Sequence, residues 1–245
     1  MKKFPLSIKP FGEKAVLVEW PNEIQETILQ DILRFVDSFS KKYPTEWELV
    51  PAYNSITMVW SSSSAMDFDM AKATIMENHQ SEQEQDNPKA RFLWKLPVCY
   101  DVEFGIDIIE TSKFLNLSMD ELVAQHTSNE YLVYGIGFLP GFMYLGGLPD
   151  SLQLPRRKEP RLHVNKGSVG LAGRQTGIYP QDSPGGWNII GNCPIPIFNA
   201  NNENPCFVNV GDKIQFQSIS KAEYDLRKIE SEIGIYNIEK SPLDA

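Results

Sequence analysis

The sequence predicts an α+β domain followed by a domain built mainly of short β-strands. Three observations support this prediction. In the first 90 of the 245 residues, apolar stretches with strand and helix periodicity alternate in the order β-β-α-β-β-α. After Glu130 the helical period disappears, and short apolar runs are separated by glycine and proline. Finally, 12 of the 16 glycines fall between Gly135 and Gly191. This segment can therefore adopt backbone conformations that other residues rarely adopt.

The N-terminal elements follow from apolar periodicity. From Asn22 onward, apolar residues recur with the spacing of an amphipathic helix, which ends before Pro44, and a second helix begins at Phe68. The predicted strands of this region are Phe4–Ile8, Ala15–Trp20, Trp47–Ala52 and Ser55–Trp60. Helices placed between strands in this way indicate an antiparallel or mixed sheet with helices on one face, a ferredoxin-like α+β layer.

A polar segment over residues 79–90 is the predicted domain boundary. It gives an α+β domain over residues 1–90 and a second domain over residues 91–245. The strand predicted at Arg91–Tyr100 is assigned to the second domain, although its position next to the boundary is compatible with either.

The second domain is predicted to contain two short helices and then β-structure. The helices are predicted at Ile106–Leu115 and Leu117–His126, and Ser118 with Glu121 has the spacing of a capping box. The predicted strands are Tyr131–Phe138, Ser168–Ala172, Trp187–Ile190, Ile195–Phe198, Cys206–Val210 and Lys213–Ser218. This pattern is typical of an all-β barrel or sandwich. A last helix, capped at Ser220, closes the chain.

Composition excludes several classes of function. The 23 basic and 32 acidic residues give a net charge of −9, which argues against a general nucleic-acid binder or a basic membrane-surface protein. No apolar run approaches the ~18 residues of a membrane-spanning helix, and no secretory signal is recognised. The three cysteines form no CxxC pair, so we expect reduced thiols in a cytoplasmic protein. The three histidines have no metal-ligand spacing, and we expect neither a metal nor a prosthetic group.

Familiar nucleotide and hydrolase motifs are absent from the sequence. Gly135–Gly141 resembles GxGxxG but has Pro140 at the sixth position, and no crossover helix follows it. No GxxxxGK[ST] phosphate loop and no GxSxG elbow occur.

Two segments carry the candidate binding residues. Gly137–Pro149 interleaves aromatic residues with glycine and proline, so its aromatics either project from a rigid loop or fill a barrel corner. Gly173–Trp187 sets polar and aromatic side chains on predicted turns, which is typical of a small-molecule pocket or of solvated turns. Arg174 is suited to a carboxylate or phosphate. The candidate residues are Arg174, Gln175, Tyr179, Asp182, Ser183, Trp187, Phe138 and His163.

The segment over residues 155–161 is rich in basic side chains. It is either a solvated loop or a rim that recruits anions or an acidic partner. His163, shortly after it, is either a hydrogen-bonded structural residue or a general acid–base group.

Several of these motifs together resemble the allophanate hydrolase subunit 1 family, also called KipI or PxpB, the B component of 5-oxoprolinase. The matching stretches are Gly137–Pro149, the Pro155-Arg156 and Pro160-Arg161 pairs, Gly167–Gly170, Gly173–Pro180 and Asp182–Gly191. The resemblance extends over essentially the whole chain, and it implies a cyclophilin-like β-barrel for the second domain. One stretch departs from it, since Leu162–Lys166 reads LHVNK where relatives commonly show TRVPA.

The resemblance also implies a function that needs partner subunits. It implies assembly with a subunit 2 family protein (KipA or PxpC) and a PxpA-like subunit into a 5-oxoprolinase, which opens 5-oxoproline to L-glutamate with ATP, and with Mg as its counterion. Catalytic residues are not assigned by it. Two alternatives stay open, namely a regulatory protein that inhibits a sensor histidine kinase, and the carboxyltransferase part of a urea-carboxylase or allophanate-hydrolase-like system.

Overall fold

The structure, a computed structural model, describes residues 4–81 and 89–243. These residues divide into two units, with the boundary between Ala90 and Arg91. The polar segment predicted as the boundary, residues 79–90, lies partly outside the described residues.

The N-terminal unit has the predicted order of elements. These are β1 (Ser7–Pro10), β2 (Ala15–Glu19), α1 (Glu26–Lys42), β3 (Trp47–Ala52), β4 (Ser55–Trp60) and α2 (Phe68–Gln80). The four strands form an antiparallel sheet in the order β1-β2-β4-β3. Helix α1 begins later than the apolar period suggests because Gln25, directly before it, has extended backbone.

One face of this sheet carries both helices. Ile56 and Met58 alternate with half-buried residues along β4, and both are fully buried. They share an apolar cluster with Ile32 and Phe39 of α1 and with Ile75 of α2. The periodicities of the sequence therefore correspond to a single two-layer core.

The C-terminal unit contains ten strands and three α-helices in its described residues. They are β5 (Phe92–Val98), α3 (Ile108–Leu115), α4 (Met119–Thr127), β6 (Glu130–Ile136), β7 (Met143–Gly146), β8 (Arg161–Val164), β9 (Ser168–Ala172), β10 (Gln175–Ile178), β11 (Ser183–Gly185), β12 (Asn188–Asn192), β13 (Lys213–Ser218), α5 (Lys221–Glu232) and β14 (Lys240–Pro242). The capping boxes predicted at Ser118 and Ser220 are both formed.

Two groups of strand predictions were wrong. Strands β7, β8, β10 and β11 lie where the sequence predicts loops and turns, because β7, β10 and β11 contain glycine or proline and β8 directly follows Pro160. Conversely, Ile195–Phe198 and Cys206–Val210 are not strands, and they meet only at one isolated bridge between Phe198 and Cys206.

Most of the C-terminal strands belong to one curved sheet, in the order β12-β9-β10-β7-β6-β13-β5-β14. All its neighbours are antiparallel except β13 and β5. Among the described residues no ladder joins β12 back to β5, so the closed barrel expected from the resemblance is not found. The two strands meet at a single bridge, where Cys99 and Asn192 exchange backbone hydrogen bonds of 2.9 and 3.0 Å.

A loop replaces the strand that would close the sheet. The backbone N–H of Asp107, directly before α3, donates to the carbonyl of Ile189 at 2.9 Å. The N–H of Ile189 in turn donates to the Asp107 carboxylate at 2.8 Å. The backbone groups of Ile189 in β12 are therefore satisfied without a further strand.

A buried histidine links α4 to the curved sheet. His126 is fully buried, and its ring stacks on Phe216 with centroids 4.6 Å apart. Its Nδ1 lies 2.7 Å from the Tyr100 hydroxyl and its Nε2 2.9 Å from the Thr176 hydroxyl, which itself donates to the carbonyl of Gly170. This chain of hydrogen bonds is satisfied when Tyr100 donates to Nδ1 and Nε2–H donates to Thr176. Burial lowers the pKa of His126 to about 3, so the ring is neutral.

We predict that His126 makes the stability of the chain depend on pH. Its folded pKa lies below the ~6.5 of the unfolded chain, so its contribution is fully present above pH 6.5 and is lost as the pH falls towards 3. The unfolding free energy should fall by about 1.5 to 2 kcal/mol between pH 6.5 and 5 from this group alone. Urea unfolding at several pH values measures the effect.

His126→Gln keeps an acceptor and a donor but does not titrate, so its stability should change less over that range. The exposed His163→Gln is the control and should follow the wild-type curve. Identical pH slopes for His126→Gln and the wild type would contradict the prediction.

Candidate functional site

A cleft of about 180 Å³ lies beside β8 and β12 in the C-terminal unit. The residues that line it are Glu103, Phe104, Ile106, His163, Val164, Asn165, Ser168, Ile189 and Asn192. His163 is the one predicted site residue among them. Apolar side chains from the loop before α3 form part of the wall of the cleft. Amide and imidazole groups provide the hydrogen-bonding capacity of the cleft.

The pairing of β8 with β11 places three polar side chains together at the rim of the cleft. Val164 lies opposite Ser183 in this small antiparallel sheet, so that Asp182 lies opposite Asn165, and His163 shares their face two residues before Asn165. His163 Nε2 lies 2.8 Å from Asn165 Oδ1 and 4.0 Å from Asp182 Oδ2. The side chains of His163 and Asp182 are 64% and 62% exposed, so the rim is open to solvent.

Hydrogen bonds to Asp182 and Asn192 hold the turn that carries Asn165 in place. The backbone N–H of Lys166 donates to Asp182 Oδ1 at 2.6 Å, and its carbonyl accepts from the Asn192 amide at 2.9 Å. Gly167 has a φ of +82°, and a Cβ there would lie 2.4 Å from Asn192 Oδ1. The Asn192 oxygen also accepts from the Tyr224 hydroxyl, whose pKa is raised by burial to about 12. The rim is thus pre-organised by the backbone.

Two predicted ligand contacts lie instead in a buried aromatic cluster. Tyr179 and Trp187 are nearly fully buried, and each meets the ring of Phe142 edge to face, at 5.3 and 5.4 Å between centroids. Burial raises the pKa of the Tyr179 phenol. Phe138 lies at the surface of the same cluster and is exposed.

The remaining predicted residues do not converge on one pocket. Arg174 is exposed in the turn between β9 and β10, whereas Tyr179 follows the other end of β10, roughly 16 Å away along the strand. Gln175 begins β10 and pairs with Ala172 in β9. Ser183 is buried, and its hydroxyl donates to the carbonyl of Pro184 at 3.1 Å. The structure therefore divides the predicted cluster between opposite ends of a hairpin.

The basic segment over residues 155–161 is not simply a solvated loop. Arg157 donates to Asp107 and to Glu110, at 3.0 Å each. Arg161 donates to both carboxylate oxygens of Asp107, which is 3% exposed. The sequence prediction missed Asp107, and the one signal that marks it is its position immediately before a helix.

Arg156 differs from these two arginines. It is exposed, and its guanidinium lies 6.0 Å from the centre of the Trp187 ring. Carboxylates of the chain itself therefore neutralise Arg157 and Arg161, whereas Arg156 is exposed to solvent.

Other kinds of site have no candidate in the described ranges, residues 4–81 and 89–243. No cluster of three or more potential metal-ligating side chains occurs there. No helix there has the length and apolar character to cross a membrane. All three cysteines are free thiols, and burial raises the pKa of Cys193 to about 12.

Sequence comparisons identify relatives along nearly the whole chain. A family model described as carboxyltransferase domain, subdomain C and D, matches residues 6–208. The B subunit of the 5-oxoprolinase of Bacillus subtilis is 34% identical, with 91% of this chain and 97% of that protein covered. That of Haemophilus influenzae is 44% identical, with 86% and 97% covered. The urea amidolyase of Saccharomyces cerevisiae is 30% identical over 95% of this chain but only 14% of its own length.

Solved structures share the fold. The protein TTHA0988 superposes with a TM-score of 0.73 at 28% identity, over 84% of this chain. This chain spans about two fifths of that protein, since 40% of it is covered. The urea carboxylase of Kluyveromyces lactis gives a TM-score of 0.76 over 97% of this chain and 24% of its own. Its identity of 16% shows likeness of fold alone.

We predict that Asp107→Asn lowers the unfolding free energy by about 3 kcal/mol or more, because it leaves two partly buried arginines without their carboxylate. Urea unfolding measures this loss. Glu110→Gln is the matched control, since Glu110 is an exposed partner of Arg157 and its loss should change stability by less than about 1 kcal/mol. Equal, small effects of the two variants would show that Asp107 is not a central contact.

Proposed function

This chain belongs to the carboxyltransferase family of subdomains C and D, and we propose that it acts as the B subunit of an ATP-dependent 5-oxoprolinase. One observation supports this function above others. Its similarity to the 5-oxoprolinase B subunits extends over nearly the full length of both proteins. The urea amidolyases, in contrast, match it only as a small part of much longer chains.

The reaction requires activation of an unreactive carbonyl. The amide carbon of 5-oxoproline is a poor electrophile, and phosphoryl transfer from ATP to its oxygen creates a better leaving group. Water then attacks the carbon, and the ring C–N bond breaks as the nitrogen takes a proton, which leaves γ-glutamyl phosphate. A second water displaces the phosphate, so that the products are glutamate, ADP and phosphate. Such a site needs hydrogen-bond donors for the substrate carboxylate and a group that moves protons near neutral pH.

The rim of the cleft supplies groups of this kind. His163 can exchange a proton, Asn165 offers an amide, and Asp182 orients a neighbouring donor. Because these side chains are largely exposed, we infer that a partner subunit covers them and completes the site. Arg174, at the far end of the β9–β10 hairpin, serves in this proposal as a separate contact for an anionic group.

The finer architecture belongs to the same proposal. We infer that the N-terminal layer is ferredoxin-like and that the curved sheet is cyclophilin-like. Support comes from the antiparallel order β1-β2-β4-β3 and from the bridge at Cys99, where the ends of the large sheet meet.

The second candidate function is a carboxyltransferase component of a urea-carboxylase-like system. The family description and the fold shared with urea carboxylase favour it. A carboxylated biotin carrier added to the chain distinguishes the two, because a carboxyltransferase would transfer the carboxyl group to urea and a 5-oxoprolinase component would not.

We predict that this chain, co-expressed with subunit 2 family and PxpA-like partners, releases glutamate from 5-oxoproline only when ATP is present. Amino-acid analysis with a coupled ADP assay measures the two products together. A correctly assembled complex that releases no glutamate would exclude the proposed function.

We predict further that Asp182→Asn lowers kcat/KM of this complex at least tenfold, since it removes the negative charge beside His163 while its amide oxygen can still accept from the Lys166 N–H. Asp120→Asn, which removes an exposed carboxylate on α4, is the control and should leave the rate unchanged. Co-purification of the subunits checks assembly in both cases. A normal rate for Asp182→Asn would place the reacting groups elsewhere.

A further inference from the structure

Phe138 is held in a backbone conformation that bulky residues rarely adopt. Its φ is +68°, in the left-handed region, and the residue is 68% exposed. The other non-glycine residues with positive φ in the described part of the chain occupy ordinary positions. Tyr53 lies in the turn between β3 and β4, and Asn116 caps the end of α3. Strain at an exposed aromatic residue suggests a role outside the fold.

The surrounding loop prevents Phe138 from relaxing. The N–H of Gly137 donates to the carbonyl of Phe142 at 3.0 Å, and the N–H of Phe142 donates to that of Leu139 at 2.9 Å. Within the inner turn, Pro140 and Gly141 have the positions expected of a type II turn, and Gly141 has a φ of +83°. The hairpin between β6 and β7 is therefore closed on both sides of Phe138.

The contacts of the Phe138 ring within the chain are few. It meets the Phe142 ring edge to face, with centroids 5.8 Å apart and planes at 89°. This edge contact leaves most of Phe138 in solvent, since the residue is 68% exposed, whereas Phe142 is 2% exposed. Packing within this chain does not explain why the strained residue is aromatic.

Arg156 projects from the same aromatic cluster. Its guanidinium lies over Trp187, and the Trp187 ring packs edge to face on Phe142. Unlike Arg157 and Arg161, which bind Asp107, Arg156 is exposed. Exposed aromatic and arginine side chains on a rigid base are the residue types enriched at the energetic centres of protein interfaces.

We propose that Phe138 and Arg156 anchor the binding of the subunit 2 family partner, an inference that rests on the proposed function. Phe138 enters an apolar socket of that partner, and Arg156 faces a carboxylate at the edge of the socket. Because Arg157 and Arg161 are paired with Asp107, the exposed guanidinium of Arg156 is a charge of this segment that favours an acidic group on the partner. The ring projects from a hairpin tip and does not line the cleft, which fits a protein surface better than a small ligand.

Phe138→Gly separates an interface role from a packing role, because the two predict opposite signs. Glycine accepts the left-handed conformation freely, so the thermal midpoint of the isolated chain should stay equal or rise by about 2–4 °C. Affinity for the purified subunit 2 family partner, measured by biolayer interferometry, should fall at least tenfold. Phe138→Ala should lose the same affinity without the rise in midpoint. Phe114→Ala, which removes the ring of an exposed residue on α3, should bind normally.

Arg156→Gln tests the charged half of the anchor. It should weaken binding severalfold at low ionic strength and reduce the dependence of affinity on salt. Lys158→Gln, two residues away, is the control for a general loss of positive charge and should have a smaller effect. Equal effects of the two variants would show that Arg156 makes no specific contact.

The outcomes distinguish this inference from the function on which it rests. A wild-type chain that neither binds the partner nor supports ATP-dependent glutamate release would overturn both. If the wild-type chain binds and is active, but Phe138→Gly binds equally well, the interface assignment alone is wrong. A lower thermal midpoint for Phe138→Gly, together with unchanged affinity, would identify Phe138 as a packing residue.

Discussion

The buried carboxylate of Asp107 is the contact on which the C-terminal unit depends. It accepts hydrogen bonds from Arg157, from Arg161 and from the backbone of Ile189, and so it ties the start of α3 to β12 and to the basic segment. Removing a carboxylate from water is unfavourable unless such donors replace the lost hydration. Here two guanidinium groups and a backbone N–H replace it. The same residue satisfies both backbone groups of Ile189, which a neighbouring strand would otherwise do.

This arrangement changes the interpretation of the basic segment over residues 155–161. In sequence, Arg156, Arg157 and Arg161 are equivalent members of one positive run. In the structure, two of them stabilise the fold and one is exposed beside an aromatic ring. Local net charge therefore overstates the positive potential available to a ligand, because charges neutralised inside the chain contribute little outside it. The useful quantity is the charge that remains after the internal ion pairs are formed.

Sequence patterns predicted those elements whose signal is local. Strands β3 and β4 were predicted to the residue, because one face of each strand is less exposed than the other. The capping boxes were found because four residues define them. Strand β10 was missed because it is buried along almost its whole length and contains Gly177, so that alternation is absent. The open edge at β12 was missed for another reason. A loop that takes the place of a strand leaves no periodic signal.

For the candidate site, the sequence predicted the types of residue but not where they lie relative to one another. Arg174 and Tyr179 sit at opposite ends of β10, and only strand pairing brings His163 beside Asp182. Strand pairing fixes the positions of these side chains but does not shield them from water. Two side chains that are about two thirds exposed interact weakly across 4.0 Å of water-accessible space, and they gain strength only when water is excluded. The chain therefore supplies the orientation of its rim residues, and the low polarity that strengthens their interaction has to come from whatever surface covers them.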